Sequence, residues 1–150
     1  MADAEPVTGG CLCGEVRYAA EAYVRDAYYC QCRICQKSTG APAEIGVLLV
    51  PGTLRYEGAE PKFYQSSPFG TRGFCDACGS RIIWASLNGE KPEWDNVSAG
   101  SLDDSERVVP TSHQCVESRL SWYRFDDGLP SFRSDEMPEL MAAWARGGSA

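Results

Sequence analysis

Basic residues are scarce in this chain: 14 lysines and arginines face 21 aspartates and glutamates, a net charge of −7. That deficit argues against a general nucleic-acid binder, which needs a basic footprint to displace counterions. No polybasic patch is present to hold an anionic membrane surface. No run of 18 apolar residues occurs, so no membrane span is expected. The opening "MADAEPVTGG" has neither a basic start nor an apolar stretch, which reads against a signal peptide and for a cytoplasmic chain. Histidine occurs once, at His113, so imidazole acid–base chemistry has a single candidate. Internal repeats and low-complexity tracts are absent as well. A small molecule or a protein is the expected partner, with no nucleic acid and no membrane.

What the chain does have is cysteine, eight in 150 residues. A reducing cytosol disfavours a disulfide framework, and a chain of this length buries a core without disulfide staples. The thiols are therefore expected to remain free or to bind metal. They fall into three clusters, Cys11-x-Cys13, Cys30-x-Cys32-x-x-Cys35 and Cys75-x-x-Cys78, with Cys115 alone.

Around them run short, β-like stretches broken by Gly, Pro and Asn. Strands are expected over 15–20, 44–50, 54–57, 62–66, 71–75, 81–86, 96–100, 111–116 and 120–125, which together give a mainly β domain. Residues 32–40 are too polar for a strand and read as a short helical turn ending at Gly40. The tail over 134–146 reads as a helix, with Ser134 or Asp135 as cap and Pro138 in its first turn. Leu140, Met141 and Trp144 would form its apolar face. Tyr28, Tyr29, Phe74, Trp84 and Trp122 are expected in the core, some of them walling a pocket.

Zinc takes thiolates at about 2.3 Å in a tetrahedron, and a C-x-C or C-x-x-C hairpin supplies two at once. Gly14 and Gly79 follow their cysteine pairs, and glycine's access to positive φ lets the backbone wrap close to a metal. Cys11, Cys13, Cys75 and Cys78 thus read as one closed, structural zinc site. "CQCRIC" (30–35) offers three thiolates for a second zinc. A catalytic zinc keeps one position open; Cys115, His113, a water or a substrate thiol are the candidates to fill it.

"GGCLCGEVRY" (9–18), the cysteines of 30–35, "GFCDACGS" (73–80) and "SAGSLDD" (98–104), with "SHQCVESRLSW" and "DDGLPSF" after them, resemble the glutathione-dependent formaldehyde-activating enzyme family. Centromere protein V belongs to the same family. The resemblance spans 8–132 and leaves 133–150 as a helical extension and tail. It implies a zinc-stabilised β-tent of short antiparallel strands with two zincs per chain. Cys11, Cys13, Cys75 and Cys78 would hold the structural zinc, and Cys30, Cys32 and Cys35 the catalytic one. Cys115 is outside the family's set and is expected to be a buried thiol. The implied activity joins glutathione to formaldehyde, a carbon–sulfur bond-forming step of the lyase class. Glutathione's carboxylates suggest Arg33, Lys37 and Arg72 as substrate contacts, with His113 as general base or ligand. The chain departs from common family usage at Gln31, where histidine is frequent, and at Gln36, where arginine is frequent.

Three functions fit these residues. The first is a zinc-dependent carbon–sulfur lyase or synthase acting on a small thiol and a small aldehyde. The second is a zinc-scaffolded binding module without turnover, and the third a purely structural protein with both zincs closed.

Overall fold

The computed structural model describes residues 2–87, 94–124 and 126–147. Its eleven strands form two sheets. Three strands, β1 (Glu5–Gly10), β2 (Arg17–Ala22) and β5 (Arg55–Tyr56), make a small antiparallel sheet in the order β1-β2-β5. The other eight are β3 (Ala27–Cys30), β4 (Glu44–Leu48), β6 (Lys62–Ser67), β7 (Gly70–Phe74), β8 (Arg81–Ser86), β9 (Asn96–Ser98), β10 (Pro110–Gln114) and β11 (Ser131–Phe132). They lie in the order β11-β10-β3-β4-β9-β8-β7-β6. Pairing is antiparallel throughout except at β10, which runs parallel to both β3 and β11.

Strand alternation turns one face of each sheet inward. Tyr18, Ala20 and Ala22 of β2 are buried, and they share one core with Val16, Val24, Val47, Leu49, Ile82, Ile83 and Val97. Cys75 belongs to that core, while Cys11 and Cys78 pack against its edge. Bridges Gly9↔Leu102 and Ala22↔Leu49 hold segments of the chain to the small sheet.

The consecutive burial of Ile82 and Ile83 breaks simple alternation, and a bulge is the reason. Gly73 faces Ile83 while Phe74 faces Arg81, so Ile82 is an extra residue on β8. A bulge bends the strand and re-aims the side chains beyond it, and here it brings Arg81 opposite Phe74.

Several expectations need correction. Residues 120–125 are not a strand: the Tyr123 amide closes a turn onto the Leu120 carbonyl at 3.0 Å, and Trp122 stands 70% exposed. Phe125 lies outside the described residues. β10 stops at Gln114 because Cys115 is left-handed, with φ 57°. β1, β3 and β11 were not expected as strands. α1 (Arg33–Thr39) ends at Gly40 as expected. α2 (Pro138–Gly147) begins later than expected, after a separate turn at Ser134–Glu136. Ser134 does not cap α2, since its amide and hydroxyl turn to the Glu117 carboxylate; Asp135 instead accepts from Arg133 at 3.1 Å. Met141 is exposed, and Ala143 is the buried residue of α2. Trp144 packs edge-on against Phe69, with ring centroids 5.0 Å apart. No helix among the described residues is long and apolar enough to cross a membrane.

Ile82 is fully buried at the bulge, so Ile82→Ala is expected to cost about 2–5 kcal/mol of stability through lost transfer energy and the cavity left behind. Urea unfolding would read this as a lowered midpoint with an unchanged slope.

Candidate metal centres

Two hairpin turns bring the first four cysteines together. The turn after β1 carries Cys11 and Cys13, and the β7–β8 turn carries Cys75 and Cys78. In each, a left-handed glycine reverses the chain: Gly14 (φ 85°) donates to the Cys11 carbonyl at 3.2 Å, and Gly79 (φ 76°) to the Cys75 carbonyl at 2.8 Å. The four sulfurs lie within 4.8 Å of one another; Cys11 and Cys13 are 3.5 Å apart, and Cys13 and Cys75 3.8 Å. Sulfurs at about 2.3 Å from a tetrahedral zinc are themselves about 3.8 Å apart, so this group fits zinc in both donor type and spacing. The Val16 amide points at the Cys11 sulfur at 3.2 Å. Ser80 bridges the two turns, accepting from the Leu12 amide at 3.0 Å and lying 3.1 Å from the Cys78 sulfur. Its hydroxyl and amide hold the Cys78 thiol down to about 5.

Cys30, Cys32 and Cys35 form the second group that could hold a metal ion, again within 4.8 Å. β3 ends at Cys30, and Cys32 caps α1, its sulfur accepting the Cys35 amide at 3.3 Å. Hydrogen bonds from Cys30 and Cys35 pull the Cys32 thiol down to about 3, while Cys30, hydrogen-bonded to Cys115 and Cys32, is pushed well up. Cys115 is buried and touches Cys30, but its sulfur is not part of the three-thiol group.

His113 is 1% exposed and stacks on Tyr29 at 4.7 Å. Arg119 Nε donates to Gln31 Oε1 at 2.8 Å, which turns Gln31 Nε2 to donate to His113 Nδ1 at 3.0 Å. His113 Nε2 in turn faces the Asp127 carboxylate at 3.0 Å. Both ring nitrogens are thus engaged away from the thiols. Gln36 is buried too, its amide donating to the carbonyls of Gln31 at 2.7 Å and Ser118 at 3.0 Å. The two glutamines tie the cysteine loop to the segment after β10.

Beside α1 opens a cleft of about 510 Å³, lined by Ile34, Lys37, Ser38, Tyr64, Ser66, Arg72, Phe74, Gly79 and Arg81. Of the three cations singled out in the sequence, Lys37 and Arg72 line it. Arg33 turns aside to donate to Gln36 Oε1 at 2.5 Å. Arg81 escaped notice because only the bulge, which residue spacing does not reveal, brings it to this face. Arg72 links the cleft to the thiols, its Nη2 lying 3.5 Å from the Cys35 sulfur. Neither this cleft nor a smaller one of about 260 Å³ against β1 and β2 is lined by a cysteine.

Gln31→Ala would remove the buried hydrogen bonds that Gln31 makes to His113 Nδ1 and Arg119 Nε. A loss of about 1–3 kcal/mol is expected, measurable by denaturant unfolding.

The chain is similar to an uncharacterized lyase of Schizosaccharomyces pombe, 25% identical over 130 residues that cover 86% of this chain and 92% of that protein. Its fold resembles the crystal structure of a Rhodobacter sphaeroides protein, with TM-score 0.51 and 22% identity over 83% of this chain and 98% of the other. The model of the glutathione-dependent formaldehyde-activating enzyme family matches residues 6–118, and the chain belongs to that family.

Proposed function

We propose that this protein is a zinc-dependent carbon–sulfur lyase that joins a small thiol, glutathione or a relative of it, to a small aldehyde such as formaldehyde. Membership of the family and the lyase name carried by the similar S. pombe protein support an enzyme of this class. The observation that carries the proposal is the meeting of the three-thiol group with a cation-lined cleft through Arg72. The four-thiol group has no such opening in its ligand set. Cys11, Cys13, Cys75 and Cys78 would hold a structural zinc, and Cys30, Cys32 and Cys35 would hold a second zinc with three protein ligands, one fewer than a closed structural site uses. When bound there, zinc supplies a cation that favours a substrate's thiolate over its thiol.

The remaining work falls to the chain itself. Arg72 faces the Cys35 sulfur and offsets the negative charge of the thiolate ligands. Lys37 and Arg72 hold carboxylate on the substrate, and Tyr64 and Phe74 give the cleft apolar walls. Holding thiol and aldehyde together removes the entropy cost of their encounter. The substrate's S–H bond breaks and its sulfur pair forms the bond to the carbonyl carbon. The carbonyl π pair moves to oxygen, which takes the proton, so the sum is thiol plus aldehyde giving hydroxymethyl thioether. His113, hydrogen-bonded on both sides, acts by supporting the Gln31 loop and not as a base.

Thiol-dependent formaldehyde consumption by the purified protein tests this directly. Cys30→Ser is expected to lower it by at least about a hundredfold, the upper end of what even an outer-shell change at a metal site costs, while the fold persists. Glutathione binding without turnover would instead make the protein a binding module. Chelation is expected to unfold the protein, and more readily at pH 5 than at pH 8, because protons compete with the metal for thiolates. Circular dichroism during chelator titration at the two pH values checks this.

A further inference from the structure

We propose that Arg72 and Arg81 form a carboxylate seat beside the second thiol group, and that Arg81 makes the protein selective for a carboxylate-bearing substrate. The seat rests on the functional proposal above and adds to it the residue that chooses the substrate.

Two guanidinium groups converge on one oxygen. Arg72 Nη1 donates to Ser38 Oγ at 3.2 Å and Arg81 Nη1 donates to the same Oγ at 2.9 Å. Ser38 passes its own hydroxyl hydrogen to the Cys35 carbonyl at 3.2 Å, so both of its lone pairs face the arginines. Guanidinium groups take carboxylates through short, charge-assisted N–H···O bonds, and here two of them present such donors side by side. Arg72 is 8% exposed and is held on its other edge by Ser66, Nε to Oγ, at 2.9 Å.

Like charges this close repel, and the surroundings answer only part of it. Glu44 lies 3.3 Å from Arg81 Nη1 with its side chain 4% exposed, and it is fixed by the Ser98 hydroxyl at 2.6 Å. Arg81 Nε is buried without a hydrogen-bond partner among the described residues. Lys37 adds a third cation, and no carboxylate is among the residues lining the cleft. In a chain of net charge −7, a cleft walled by three cations and no acid draws anions against the overall field. The bulge at Ile82 sets Arg81 opposite Phe74, and bulges recur where a side chain must be re-aimed at a site.

A carboxylate can arrive on the thiol or on the aldehyde. Binding to the zinc-loaded protein by calorimetry separates the two, using 3-mercaptopropionate against 3-mercaptopropionamide and glyoxylate against glycolaldehyde. Wild type is expected to prefer the carboxylate member of one pair by about tenfold or more, which is about 1.4 kcal/mol, and that pair identifies the carrier. Arg81→Gln is expected to remove the preference and Arg81→Lys to retain part of it. Arg81→Gln leaves Glu44 buried and unpaired, so the Glu44→Gln/Arg81→Gln double variant keeps the test open should the single variant unfold. Equal binding of acid and neutral probes by wild type, or an undiminished preference in the folded variants, overturns the seat; the first result also removes the carboxylate role given to Lys37 and Arg72, while the joining of thiol to aldehyde at the second thiol group stands. Thiol binding to neither member of its pair overturns the functional proposal instead, and with it the premise of the seat.

Discussion

The structure depends on four thiols from two distant hairpins reaching one point. Cys13 and Cys75 are 62 residues apart, yet their sulfurs meet where the small sheet adjoins the large one. A metal ion held there converts its binding energy into folding energy, on the order of 10 kcal/mol or more in small zinc modules. That is comparable with the whole stability of an ordinary domain. The same β7–β8 hairpin carries Arg72 and Arg81 to the cleft, so the hairpin that brings Cys75 and Cys78 to the first thiol group also places the cations beside the second.

The second group rests on polar chemistry more than on apolar packing. Gln31 and Gln36 are nearly inaccessible, and each amide oxygen and nitrogen of both has a partner. Burying an amide costs free energy unless its hydrogen bonds are made. A network with every bond made permits one arrangement and penalises the others. The cysteine loop is thereby held against Ser118 and Arg119, and Arg72 stands between Cys35 and the cleft. Gln31 and Gln36 bind each other and the segment after β10.

The cysteine groups were legible because short spacings and the glycines after them encode local turns, and a turn needs no tertiary information. Most strands of the large sheet were legible too, since apolar alternation survives in "EIGVLLV" and "RIIWAS". β1 was not, because "EPVTGG" buries only Val7 and Gly9 and shows too little alternation. "LSWYRF" misled in the opposite way: its aromatics suit a strand, yet the left-handed Cys115 and the turn after it carry Trp122 into solvent. Arg81 could not be placed because a bulge shifts side-chain phase by one residue without marking the sequence. The α2 face was misread by one position, since its contact is with Pro68 and Phe69 on the β6–β7 turn, which periodicity alone does not specify.

Metal stoichiometry by native mass spectrometry, on wild type, Cys30→Ser and Cys78→Ser, tests the central claim most directly. The account predicts two zincs per wild-type chain and one in a folded Cys30→Ser chain. It predicts for Cys78→Ser the broad, high charge states of an unfolded protein. A single zinc in wild type, or a folded Cys78→Ser chain that still carries two, would contradict it.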